Sequence, residues 1–108
     1  EGVWTIGYGF TFITQQEAET ILNVRVEQIH RELITYPWYS KLNKARKSVI
    51  VNMAFQMGMN GLLKFKNMIR ALKDDYYVEA GIHMQDSKWY RQTPDRAQEL
   101  IDRMRTGR

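Results

Sequence analysis

The run from 44 to 57 most narrows what this chain can become. It holds Ala45, Val49, Ile50, Val51, Met53, Ala54, Phe55 and Met57, and its second half is apolar nearly all round. A helix of that kind must be covered on several sides. Each Leu-sized side chain it buries is worth about 1.5–3 kcal/mol, so the segment predicts the core of a helical lobe. Its first turns carry Lys44, Arg46 and Lys47, and that end has to face water. Asn43 stands where an N-cap belongs.

The flanking sequence supplies the covering elements. Thr14-Gln15-Gln16-Glu17 has the form of a capping box, with a hydroxyl and a carboxylate able to satisfy two orphan N–H groups. Ala18, Ile21, Leu22, Val26, Ile29 and Leu33 follow at spacings of three and four, which predicts one amphipathic helix over about 15–34. Pro37 ends it, because the residue before a proline is pushed away from helix. Trp38, Tyr39 and Leu42 suggest a short, partly buried helix. Gly58 reads as a C-cap, with Gly61 closing a loop. Leu62, Leu63, Phe65, Met68, Ile69 and Leu72 continue at helical spacing, and Asp74-Asp75 read as the cap of a helix through Tyr77, Ala80, Ile82 and Met84. Thr93-Pro94 is a helix start, and the last helix runs from about Pro94 to Arg105 and stops near Gly107. At the other end, residues 3–12 are rich in aromatic and β-branched types and read as a strand broken by Gly7 and Gly9. Those glycines mark a turn, a bulge or a close backbone approach. The fold class is therefore α+β and mainly α: a small β element, a long helix, then a compact bundle of short helices.

Composition removes several functions. The 108 residues include no cysteine and two histidines, His30 and His83, which excludes thiol chemistry and disfavours a metal site; no metal or cofactor is expected. No apolar run approaches the roughly 20 residues of a membrane span. No Walker, dinucleotide, zincin or serine-elbow motif occurs. Charge is uneven: residues 1–35 carry two basic and five acidic side chains, and residues 36–108 carry fourteen and seven. A basic second part suits an anionic partner such as nucleic acid, a membrane surface or a cell wall.

Few side chains advertise chemistry. Glycoside hydrolysis needs two carboxylates flanking one bond. Glu17 reads as a capping residue, Asp74 and Asp75 as a helix start, and Glu1 as solvated. His83 lies between Ile82 and Met84, where a packing or surface role competes with that of a base. Phe55, Met57 and Met68 read first as core. Trp89, Tyr90, Arg91, Gln92 and Thr93 interleave aromatic and planar hydrogen-bonding groups. Such a cluster suits a sugar or nucleotide, or equally a packed tryptophan ahead of a helix cap.

A resemblance adds to this reading. Thr5-Ile6-Gly7-Tyr8-Gly9-Phe10, Ile13-Thr14-Gln15-Gln16-Glu17-Ala18-Glu19, Asn52-Met53-Ala54-Phe55-Gln56-Met57-Gly58, Ser87-Lys88-Trp89-Tyr90-Arg91-Gln92-Thr93-Pro94-Asp95-Arg96-Ala97 and Arg105-Thr106-Gly107 occur in this order. Together they resemble the phage-type (T4-type) lysozymes, glycoside hydrolase family 24, over essentially the whole chain. The resemblance implies a two-lobed fold with a cleft for peptidoglycan. It implies hydrolysis between N-acetylmuramic acid and N-acetylglucosamine without a cofactor, by a monomer that binds no nucleic acid and does not insert stably in a membrane. It also implies synthesis in the host bacterium's cytoplasm by a phage or prophage, and action on the wall.

The family's catalytic set is a Glu, eight residues, an Asp, five residues and a Thr. Thr5 matches the threonine that positions the attacking water, so the Asp falls just before Glu1 and the Glu nine residues further upstream. The resemblance thus implies a lysozyme-like domain without its first helix: a β-lobe remnant over 1–14, an interlobe helix over 15–34 and a helical lobe over 35–108. Arg96 resembles the arginine that pairs with the catalytic Glu. Phe55, Gln56, Met68 and His83 match substrate-side positions, though Met68 and His83 replace small polar or amide residues. Phe10 stands where the family often has histidine, and the short stretch from Phe10 to Thr14 implies that a hairpin excursion is missing. Two other readings stay open: a non-catalytic or partner-completed wall-binding fragment, and a basic helical nucleic-acid binder. No helix clusters Arg, Asn or Gln for base edges, which weakens the last.

Overall fold

The computed structural model describes the backbone of residues 3–4 and 13–108, and the side chains from Asn23 onward. Helices among the described residues are α1 (Gln15–Leu33), α2 (Pro37–Ser40), α3 (Lys44–Leu63), α4 (Lys66–Lys73), α5 (Tyr77–Gln85), α6 (Lys88–Gln92) and α7 (Pro94–Thr106). The described chain is therefore mainly helical, as the helical part of the α+β expectation requires. The small β element is not seen as a sheet of any size. What is described of it is a two-residue antiparallel pairing of β1 (Val3–Trp4) with β2 (Ile13–Thr14).

Each helix has a local cause. Of the apolar face of α1, Ile29 and Leu33 are buried, while its N-terminal capping box lies outside the described side chains. Tyr36 takes an extended conformation (φ −95°, ψ 119°) ahead of Pro37, the first residue of α2. That short helix buries Trp38 and Tyr39. Asn43 caps α3, its side chain accepting from the Arg46 N–H at 2.9 Å. Val49, Ile50, Met53 and Ala54 along α3 are at most 2% exposed, so this helix is the core that its sequence demanded.

Three local expectations are corrected. Gly58 has φ 80° and ψ 162°, yet α3 resumes beyond it and runs to Leu63. The glycine kinks the helix instead of ending it, and fully buried Leu62 draws the next turn back onto the core. Asp74-Asp75 do not cap α5. Its N-cap residue is Tyr76, with no side-chain bond, and Asp75 sits in the left-handed region at φ 62°. Thr93 precedes Pro94 as expected, but its hydroxyl donates backward to the Trp89 carbonyl at 3.2 Å and caps nothing. The polar cluster before it forms α6, capped by Ser87, whose Oγ accepts from the Tyr90 N–H at 3.1 Å.

The two ends of the lobe are tied together at one place. Arg46 Nε donates to the Met104 carbonyl at 2.7 Å and Nη2 donates to the Arg105 carbonyl at 3.2 Å. Asn43 Nδ2 donates to the Gly107 carbonyl at 3.1 Å. The first turn of α3 thus satisfies the orphan carbonyls at the end of α7. The Arg46 guanidinium also lies 3.7 Å from the centre of the Tyr77 ring. Tyr77 donates to Asp75 at 3.1 Å, and Lys41 pairs with the same carboxylate at 2.8 Å. Gly81 lets α7 approach α5, since a Cβ there would stand 3.0 Å from Arg105 Cγ.

Two outcomes follow for stability. Arg46→Ala removes charge-assisted bonds to two carbonyls and lowers unfolding free energy by about 1.5–3 kcal/mol in urea titrations. Arg46→Lys restores less than half of that, because an ammonium lacks the fork. Asp75 is held below the usual carboxylate range by hydrogen bonds from Lys41 and Tyr77. Its contribution is therefore present above the ordinary value near 4 and lost as pH falls through the lower folded value. Asp75→Asn flattens the fall of the urea midpoint below pH 4.

Candidate active site

Burying one face of α3 decides what its opposite face shows. Val49, Ile50, Met53 and Ala54 point into the core; Ser48, Val51, Asn52 and Phe55 lie on the other side of the helix and line an open groove of about 540 Å³. Lys44 and Lys47 extend that wall toward the helix start. Val26, Glu27 and His30 of α1 form the facing wall, and Arg96, from the first turns of α7, closes one end.

Tyr39 forms part of the groove floor and has no exposed surface. Its hydroxyl lies 2.7 Å from His30 Nδ1, and the two rings meet edge to face with centroids 5.7 Å apart. Burial pushes the Tyr39 hydroxyl above its ordinary pKa. The bond to His30 is what lets a phenol sit at zero exposure beneath the groove. The remaining surfaces are mixed: Val26, Val51 and Phe55 are apolar, while Lys44, Lys47 and Arg96 carry positive charge.

The sequence-derived site residues fall into separate places. Thr5 lies outside the described residues. Phe55 and Arg96 meet in the groove, and Phe55 is 40% exposed, unusual for a phenylalanine beside a core helix. Arg96 is exposed, and none of the ion pairs found among the described residues involves it. Gln56 is exposed and does not line the groove; its Nε2 donates to Asn52 Oδ1 at 2.9 Å. Its Oε1 accepts from Trp89 Nε1 at 3.0 Å. Trp89 thus serves packing and bonding, with its ring edge-to-face on Phe65 at 6.2 Å. Met68 and His83 meet elsewhere, at a smaller depression of about 220 Å³ bordered also by Lys64, Asn67, Asp86 and Ser87. Met68 is packed in the core with no exposed surface, and His83 is half-buried.

The sequence reading missed His30, Tyr39 and Asn52 as groove residues. His30 follows Ile29 on the edge of the α1 apolar stripe, and Asn52 interrupts the apolar second half of α3. A polar residue at such a place is the signal that could have found them. Among the described residues no three His, Asp or Glu side chains gather to hold a metal ion, and no helix is long and apolar enough to cross a membrane.

The described lobe is mainly helical, with a cationic, partly apolar groove between its longest helices. The chain belongs to the phage lysozyme family, which matches residues 1–106. It is 34% identical over 99 residues to probable T4-type lysozyme 1 of Dictyostelium discoideum, covering 88% of this chain and 58% of that protein. It is 32% identical over 99 residues to the pre-baseplate central spike protein Gp5 of Enterobacteria phage T4, where the match covers 88% of this chain and 17% of that protein. It is 45% identical over 64 residues to peptidoglycan hydrolase gp36 of Pseudomonas phage phiKMV, covering 57% of this chain and 7% of that protein. The chain thus spans little more than half of the Dictyostelium protein.

Tyr39→Phe keeps the ring and removes the hydroxyl that meets His30. It costs about 0.5–1.5 kcal/mol in denaturant titration and displaces the His30 ring signals in NMR spectra, while distant core signals stay in place.

Proposed function

We infer that this chain belongs to a peptidoglycan hydrolase that cleaves between N-acetylmuramic acid and N-acetylglucosamine. Its place in the phage lysozyme family supports the substrate class. The observation that carries the reading is the position of Arg96, an exposed guanidinium opening into the same groove as Phe55 and Asn52. A guanidinium fork there suits a carboxylate. The groove's Val26, Val51 and Phe55 suit the apolar face of the segment that brings it.

The roles follow the chemistry of glycoside cleavage. A glutamic acid upstream of Glu1 protonates the leaving oxygen, and an aspartate just before Glu1 works with Thr5 on the attacking water. Arg96 orients the acid. Phe55 and Gln56 line the cleft, and His83 marks its continuation toward the second depression. Met68 supports that depression from beneath, its side chain being fully packed. In this account residues 1–14 are the remnant of a β lobe, 15–34 the interlobe helix and 35–108 the helical lobe. The basic second part draws the protein to the anionic wall. The protein acts as a monomer on the wall of the bacterium in whose cytoplasm a phage or prophage has it made.

The test compares residues 1–108 with the complete polypeptide on purified peptidoglycan. The complete polypeptide releases soluble muropeptides and residues 1–108 release none. Arg96→Ala in the complete polypeptide lowers kcat by about 10²-fold or more, the range for loss of general-acid function. A complete polypeptide that binds the wall and leaves it intact would sink this reading in favour of a wall-binding module.

A further inference from the structure

Three side chains form a hydrogen-bond series that ends at the groove in Asn52, and its direction is fixed by its first member. Trp89 Nε1 can only donate, since an indole N–H has no acceptor capacity. At 3.0 Å from Gln56 it therefore requires the amide oxygen on that side. This turns the Gln56 NH2 toward Asn52, and at 2.9 Å it donates to Asn52 Oδ1. With its oxygen engaged, Asn52 has its Nδ2 group left over for the groove that it lines beside Phe55 and Arg96. Amide orientation is usually a choice between two near-equivalent fits; here the tryptophan removes the choice.

We propose that Asn52 is a positioning residue that donates from Nδ2 to the carboxyl group seated against Arg96, with Trp89 and Gln56 holding it in the donating orientation. The inference rests on the proposed arrival of an acidic side chain in this groove. A guanidinium fork holds the plane of a carboxyl group but does not choose which of its two oxygens carries the proton. A second, fixed donor from another helix binds one oxygen and leaves the other toward the bond to be cleaved. Charged or titratable groups bordering the same space are Glu27 and His30 on α1, Tyr39 on α2, Lys44 and Lys47 on α3, and Arg96 on α7.

Asn52→Asp separates positioning from scaffolding. An aspartate is the same shape and still accepts from Gln56, so the series stays intact while the donation is lost and a negative charge is gained. In the complete polypeptide we expect kcat on purified peptidoglycan to fall at least 10-fold with KM within two-fold and the melting temperature nearly unchanged. The added negative charge favours the protonated form of the neighbouring acid, so the alkaline limb of the kcat profile moves to higher pH. Trp89→Phe keeps the ring against Phe65 and frees Gln56 to turn over, and gives a smaller loss of kcat, again with KM unchanged. An Asn52→Asp enzyme within two-fold of the parent in kcat, with the same alkaline limb, overturns the inference. If the parent itself does not cleave peptidoglycan, the functional reading fails and the inference falls with it.

Discussion

Everything in this fold is arranged around the one helix that cannot be left exposed. With Val49, Ile50, Met53 and Ala54 withdrawn from water, α3 has a single orientation within the lobe. Its anchored end is fixed as well, because Asn43 and Arg46 bind the carbonyls that finish α7. The consequence reaches the surface. A helix whose core face is set has no freedom in what it turns outward, and what α3 turns outward is Ser48, Val51, Asn52 and Phe55. Packing and site are therefore one constraint read from two sides of the same helix.

The groove has a division of labour that follows from its materials. Its floor is stiff and satisfied: Tyr39 is buried, bonded to His30 and packed against Trp38, with ring centroids 6.4 Å apart. Its walls offer apolar area and cations. A surface of that composition suits an amphipathic segment with an acidic side chain better than it suits a neutral sugar alone. That is why Arg96 is read as a partner for a carboxylate and not as a direct ligand of the glycan. The smaller depression by His83 is more polar, which suits the looser contacts of a long polymer.

Much of the fold was legible because strong local signals agreed with burial. The periodicity from Ala18 to Leu33, the cap at Asn43, the break at Pro37 and the Pro94–Gly107 brackets all fall where the helices begin and end, to within a residue or so. The misreadings share a cause: tertiary partners outbid local chemistry. Asp75 forgoes capping because Lys41, far away in sequence, offers a charge-assisted bond. Gly58 does not stop α3 because Leu62 gains more by burial than the helix loses at the kink. Of the site, Phe55 and Arg96 came from the family motifs, and the groove brings them together. His30 and Tyr39 did not come from the motifs, and Asn52 stood in one of them without a role assigned to it. Their importance lies in bonds between elements, which no local pattern in one sequence displays.

The central claim is that this groove belongs to an enzyme that breaks one particular glycan bond. The most direct measurement is the chemistry of the new ends. Purified peptidoglycan digested with the complete polypeptide is reduced with borohydride, and the products are identified by mass spectrometry. The account predicts muropeptides ending in reduced N-acetylmuramic acid. Products ending in reduced N-acetylglucosamine, or free stem peptides with intact glycan strands, would contradict it.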